Sequence, residues 1–311
     1  MKIVVHTDDA NRWRTALAHA FPGATVITTD APADQRQNAD YLAVWKPPEW
    51  LFAEQTRLKG IINLGAGVDA LLATPGLPEN VPIVKLRDAG MAEPMADYVL
   101  YGVLHFYRGF DHYARQQQRD HWSPQAVPDK TNWPVSVLGL GAIGRRVAQA
   151  LAQAGFPVLG WSRHAKNLDG VDCRHGEAGL DAVLSRAKTL VTLLPDTADT
   201  HGLLDAARLA QLPPGASVIN PGRGGLIDER ALLDALGDDS APGPLRGALL
   251  DVFNTEPLPA TSPLWRHPRV VITPHMSAPT PLDGAIDQVI GYLRAFEAGD
   301  TPATVNPGAG Y

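Results

Sequence analysis

The chain's 311 residues suffice for two domains with cores of their own, and 45% hydrophobic with 19% charged residues is an ordinary globular balance. A formal net charge of −6 excludes a general nucleic-acid binder, which shows a basic stripe, but leaves room for a local arginine that holds a carboxylate. The one cysteine, Cys173, excludes an intrachain disulfide and points to a reducing, cytoplasmic setting.

Met1-Lys2 leads straight into Ile3-Val4-Val5 with no signal peptide ahead of it. No apolar run reaches the ~18 residues of a membrane helix, so no membrane partner is expected. Ile3-Val5, Ala24-Thr28, Tyr41-Trp45, Gly60-Leu64 and Val81-Leu86 read as strands; Arg12-Phe21, Pro48-Glu54 and Val68-Leu72 read as helices or helical turns between them. Such alternation calls for a parallel sheet covered on both faces. Asp88 to Gln118 reads as one long helix whose stripe of Met91, Met95, Tyr98, Val99, Val103 and Phe106 suits either an intrachain core or a subunit contact. After a connector from Trp122 to Pro134, a second series supplies six strands: Val135-Leu140, Val158-Trp161, Thr189-Leu193, Ser217-Asn220, Gly247-Leu250 and Val270-Thr273. With helices at Ile143-Ala154, Gly179-Ala187, Asp205-Gln211 and Asp228-Gly237, this matches a doubly wound nucleotide fold. A final helix, Leu282-Ala298, and a tail from Pro302 close the chain.

Gly139-Leu140-Gly141-Ala142-Ile143-Gly144 follows a strand and opens a helix, the context that gives a G-x-G-x-x-G pattern its meaning. Gly139 permits the turn, Gly141 lets backbone approach a pyrophosphate, and Gly144 allows helix and strand to pack closely. The phosphates would rest on free N–H groups at the helix start. An acid at the end of the next strand would mark NAD, through the ribose 2′-hydroxyl. Here the strand ends Gly160-Trp161-Ser162-Arg163, with Lys166 behind and no acid before Asp169. Ser162 and Arg163 suit a 2′-phosphate instead, so NADPH is the expected cofactor, with NADH possible.

Three further residues lie at strand ends of the same series, 33 and 19 residues apart: Arg223, Glu256 and His275. Ligands of open parallel sheets bind beyond the carboxyl ends of strands. A cation to hold a carboxylate, an acid to protonate an alkoxide, and a carboxylate to orient that acid are what reduction of a 2-oxo acid needs besides hydride. Arg223, His275 and Glu256 supply them in that order, and nothing in the pattern calls for a metal.

Gly139–Gly144, Pro221-Gly222-Arg223-Gly224, Leu250-Asp251-Val252-Phe253 through Glu256-Pro257, and Pro263-Leu264-Trp265 through Thr273-Pro274-His275 together resemble the D-isomer-specific 2-hydroxyacid dehydrogenase family over nearly the whole chain. Trp45, Leu64–Asp69, Met91–Ala96 and Gly160–Arg163 are similar to its branch that reduces glyoxylate and hydroxypyruvate. The resemblance implies an α/β protein of two doubly wound parallel-sheet domains with a cleft between them: a flavodoxin-like substrate domain, 1–97 plus 277–311, and a Rossmann cofactor domain, 98–276. It implies a homodimer formed through the 92–118 helix region. It gives Arg223 as substrate anchor, Glu256 as partner of His275, and His275 as proton donor. Asp251 would contact the nicotinamide carboxamide, and Met91, Ala142, Ile143, Leu194, Pro195 and Pro221 would line the cofactor site. Gly65 and the backbone N–H groups of Ala66 and Gly67 would help bind the substrate carboxylate, with Trp45 as a wall. Asp196 departs from the pattern, standing where relatives often carry a neutral side chain. The same motifs fit a reductase of bulkier 2-oxo acids such as phenylpyruvate. They also fit a dinucleotide-sensing interaction protein like the C-terminal-binding-protein corepressors, which oxidation of NADPH by a 2-oxo acid would exclude.

Overall fold

Short apolar runs separated by helical segments fold as strands that assemble into two parallel sheets, the inner strands buried on both faces. The structure is a computed structural model and describes residues 1–238 and 240–306; residues 307–311 of the tail expected from Pro302 lie outside the described residues. The chain divides into two units, one formed by Met1–Gly90 with the residues from Thr280 onward, the other by Met91–Pro279. The expected breaks, after 97 and 276, lie a few residues away from these.

In the smaller unit, β1 (Lys2–His6), α1 (Ala10–Ala20), β2 (Thr25–Thr28), α2 (Ala33–Arg36), β3 (Tyr41–Val44), α3 (Trp50–Ala53), β4 (Gly60–Asn63), α4 (Asp69–Leu72) and β5 (Ile83–Lys85) follow in turn. The sheet order is β2-β1-β3-β4-β5, the flavodoxin-like winding. The C-terminal helix, Leu282–Glu297, returns to this unit, where Glu297 accepts a hydrogen bond from the Tyr41 hydroxyl at 2.7 Å.

The larger unit runs α5 (Ala92–Tyr107), α6 (Phe110–Gln117), β6 (Val135–Leu138), α7 (Ala142–Gln153), β7 (Val158–Ser162), β8 (Val171–His175), α8 (Gly176–Leu184), β9 (Thr189–Thr192), α9 (Ala206–Leu209), β10 (Ser217–Asn220), α10 (Glu229–Leu236), β11 (Gly247–Leu250) and β12 (Val270–Ile272). Its order, β12-β11-β10-β9-β6-β7-β8, is the Rossmann winding with a further parallel strand beyond β11. The winding reverses between β6 and β9, so their carboxyl ends open the crevice where such sheets take ligands.

Two expectations are corrected. The sheet has seven strands rather than six among the described residues, because β8 was missed. It is an edge strand, half exposed and polar at three of five positions, so no apolar run announces it. The single helix over Asp88 to Gln118 is two helices, broken at Gly109, whose φ of +73° is left-handed and cannot continue a right-handed helix. The stripe Met95, Val99, Val103 and Phe106 belongs to the core of the larger unit, packed with Val135, Val137, Val191, Ile219 and Leu249. Gly102 permits that approach: a Cβ there would lie 2.7 Å from both Ile219 and Leu249.

Candidate active site

The glycine turn after β6 has the shape its sequence implies. Gly139 has φ +102°, and a Cβ there would meet the Leu193 carbonyl oxygen at 2.7 Å. A Cβ on Gly144 would run into the Gly139 carbonyl. Gly141 is different: a Cβ would touch nothing within 4 Å. It caps α7 without any side-chain hydrogen bond to the helix N-terminus, and Ala142 beside it is exposed. Open space over the first N–H groups of a twelve-residue helix suits an anionic pyrophosphate, so these residues fit the dinucleotide the motif calls for. Ile143 is half-buried behind them. Leu194 and Pro195 leave β9 on the far side of the crevice, half-buried, with the Pro195 carbonyl accepting from Thr200 Oγ1 at 2.6 Å.

Ser162 ends β7 and is buried, its hydroxyl donating to the His164 carbonyl at 2.8 Å. Arg163 is exposed and paired with Asp199 on the loop after β9, N to O 2.8 Å. Lys166 is exposed on the same segment. Asp196 faces His201, Oδ1 to Nδ1 3.0 Å, and its carboxylate lies where a Cβ on Gly225 would stand. Met91 is buried as the residue that caps α5.

Strands β10, β11 and β12 are neighbours in register, with Asn220 beside Leu250 and Leu250 beside Ile272. Arg223, Asp251, Glu256 and His275 therefore leave one rim of one sheet. The turn holding Arg223 is pinned by Asn220, which is buried. Its Oδ1 accepts from Thr192 Oγ1 at 2.6 Å and from the Gly222 N–H at 3.2 Å, and its Nδ2 donates to the Arg223 carbonyl at 2.9 Å. Pro221 is buried in this turn. A Cβ on Gly222 would lie 2.7 Å from the Thr192 carbonyl, and one on Gly224 would strike the Phe253 backbone. The Arg223 guanidinium donates to the Gly222 carbonyl at 2.7 Å.

His275 Nδ1 lies 2.8 Å from Glu256 Oε2, and Glu256 Oε1 accepts from the Phe253 N–H at 3.1 Å. The imidazole is 43% exposed, so the pair is anchored on one side and open on the other. His275 has φ +51°, a left-handed conformation that costs a non-glycine residue about 1–3 kcal/mol. Its N–H donates to the Asp251 carbonyl at 2.9 Å. The Asp251 carboxylate, fully buried, accepts from Thr273 Oγ1 at 2.6 Å and from the Met276 and Ser277 N–H groups, each at 2.9 Å. Those contacts aim Asp251 at the His275 turn, where the resemblance implied a contact to the nicotinamide.

In the smaller unit, Asn63 at the end of β4 donates to the Gly65 and Gly67 carbonyls at 2.8 and 2.7 Å, shaping the loop that carries Ala66. Trp45 is half-buried over Gly65, where its ring fills the space a Cβ would take. Sequence reading missed Asn63 and Asn220. Each is an asparagine that follows two aliphatic strand residues and precedes a glycine-rich loop, which was the available signal.

Residues 100–277 match the family described as D-isomer specific 2-hydroxyacid dehydrogenase, NAD binding domain. The chain is 44% identical over 302 residues to a glyoxylate/hydroxypyruvate reductase A from Serratia proteamaculans (strain 568), covering 96% of this chain and 95% of that one. A D-isomer specific 2-hydroxyacid dehydrogenase from Xanthobacter autotrophicus Py2, solved in complex with NADPH and MES, superposes with a TM-score of 0.91 at 40% identity, over 100% of this chain and 99% of that one. An NADPH-dependent glyoxylate/hydroxypyruvate reductase from Sinorhizobium meliloti, solved with NADP and sulfate, gives 0.90 at 36% identity, over 100% and 99%. With the Rossmann winding, the glycine turn and the Arg-Glu-His rim already in place, these matches make the chain a member of the D-isomer specific 2-hydroxyacid dehydrogenase family.

Proposed function

We propose that this protein reduces small 2-oxo acids, glyoxylate and hydroxypyruvate, to 2-hydroxy acids with NADPH. The observation that carries the reading is the His275–Glu256 pair at 2.8 Å past the ends of β12 and β11, with Arg223 past the end of the adjoining β10. Glu256 holds Nδ1, which fixes the ring's orientation and leaves Nε2 to face the substrate. The relatives named glyoxylate/hydroxypyruvate reductase support the substrate class, and those solved with NADPH or NADP support the cofactor.

Gly139, Gly141, Ala142, Ile143 and Gly144 would hold the pyrophosphate, with Leu194, Pro195, Pro221 and Met91 around the cofactor, and Ser162, Arg163 and Lys166 would take the 2′-phosphate. When bound, the reduced nicotinamide supplies hydride to the substrate carbon. Arg223 grips the substrate carboxylate through its planar fork and draws electron density toward the carbonyl oxygen. His275 Nε2 gives its proton to that oxygen as negative charge builds, and Glu256 stabilises the remaining imidazole in one tautomer and one orientation. The family resemblance further gives the backbone N–H groups of Ala66 and Gly67 and the side chain of Trp45 to the substrate. The exposed Tyr101 and Phe110 on the 92–118 helices are the surface through which two copies would pair.

Initial rates of NADPH and NADH oxidation with glyoxylate, hydroxypyruvate and phenylpyruvate test the reading. It expects the highest kcat/KM with NADPH and one of the two small acids. Equal use of both cofactors would remove the NADPH assignment, and preference for phenylpyruvate would remove the small-substrate assignment.

A further inference from the structure

Two hydroxyls behind the His275 turn have no part in the chemistry described so far. Tyr98, partly buried on α5, has its hydroxyl 2.7 Å from Thr273 Oγ1, and Thr273 Oγ1 lies 2.6 Å from Asp251 Oδ1. The direction of these bonds follows from counting hydrogens. Asp251 Oδ1 already accepts the Met276 N–H and Oδ2 the Ser277 N–H, so this carboxylate is an acceptor and Thr273 donates to it. A threonine hydroxyl has one hydrogen to give, so the bond from Tyr98 must be donated by the phenol. The result is a one-way chain from Tyr98 to Thr273 to Asp251, and each donor in it polarises the next.

The chain ends on a segment that needs holding. His275 sits in left-handed backbone, and its N–H, with those of Met276 and Ser277, is tied to Asp251. A buried carboxylate with fewer donors would be costly, and the turn would be free to relax to right-handed φ, swinging the imidazole off its line to the substrate. Burial pushes the Tyr98 phenol up from its ordinary value, which further disfavours the phenolate that could not donate.

We propose that Tyr98 and Thr273 are positioning residues for the reaction, acting through the Asp251 carboxylate to hold the His275 turn in its left-handed, donor-ready shape. The inference rests on the reading of His275 as proton donor.

Thr273→Val, Thr273→Ser and Tyr98→Phe separate the possibilities. Thr273→Val keeps the shape but removes the hydroxyl that links phenol and carboxylate; kcat should fall about 10- to 100-fold, the cost of a misplacement near an ångström. NADPH affinity, read by quenching of protein fluorescence, should stay within twofold. The solvent deuterium isotope effect on kcat should rise, since proton transfer becomes the slower event, and a merely structural loss would not move it. Thr273→Ser should restore kcat, and Tyr98→Phe should show the same pattern more weakly. If Thr273→Val does not fold, Tyr98→Phe alone carries the test. Unchanged kcat and isotope effect in folded variants would overturn the proposal, as would a loss of NADPH affinity matching the loss of kcat. A fully active His275→Ala enzyme would instead overturn the reading of the site on which it rests.

Discussion

With Nδ1 committed to Glu256, His275 has only Nε2 for the proposed proton transfer, so the two residues should fail differently when changed. His275→Ala should lower kcat roughly 10²–10⁴-fold, the range of acid-base groups, with little change in NADPH affinity. Glu256→Gln keeps a hydrogen bond but loses the ionic partner, and should leave a slower enzyme; steady-state kinetics on both variants checks this. At the cofactor end, Arg163 is held by Asp199 in the structure, and a 2′-phosphate would compete with that carboxylate. Arg163→Ala should weaken NADPH roughly ten- to a hundred-fold, the worth of a charge-assisted contact, and spare NADH. Asp199→Asn should tighten NADPH by no more than about fivefold, because exposed ion pairs are weak. Titrations of both cofactors against both variants decide it; an equal change for NADPH and NADH would contradict the assignment. The rim residues were legible in sequence because each stands just past an apolar run. The hydrogen bonds from Tyr98 to Thr273 and from Thr273 to Asp251 were not, since they depend on which elements become neighbours.

At the scale of elements, a buried ion pair fastens α6 to the start of β11. Asp111, 7% exposed, accepts two bonds from Arg246, at 2.9 and 2.5 Å, with Arg115 at 3.3 Å. Burial by itself pushes the Asp111 carboxyl up, but the hydrogen bond and charge of Arg246 hold it below the ordinary carboxylate range. A depressed carboxyl stabilises the fold above the unfolded value near about 3.9, and that contribution is lost as pH falls through the lower folded value. Asp111→Asn should therefore melt below the wild type at neutral pH, and the gap should close in acid. Arg246→Ala should cost about 3 kcal/mol, since it strands a buried charge, and denaturant unfolding at neutral pH measures it. The apolar strands were readable, whereas β8 was not, because an edge strand need not be apolar. The break at Gly109 was masked because the stripe runs up to it, and one glycine within a helical pattern is a weak signal.

At the scale of the whole molecule, the alternation of strand and helix was enough to read two parallel sheets, while their orders and the chain's return through the C-terminal helix come from tertiary packing. The exposed aromatics Tyr101, Phe110 and Trp122, at 54%, 51% and 93%, lie on and just after α5 and α6. If this face pairs two copies, light scattering should return the mass of two chains, and Tyr101→Glu with Phe110→Glu should return that of one. The central claim, hydride transfer to a small 2-oxo acid, is tested most directly by following the label. Hydroxypyruvate and NADPH deuterated on the transferring face of C4 should yield D-glycerate carrying one deuterium on C2 with the wild-type protein, and scarcely any with His275→Ala. Glycerate without deuterium, or no consumption of NADPH by the wild type, would contradict the account.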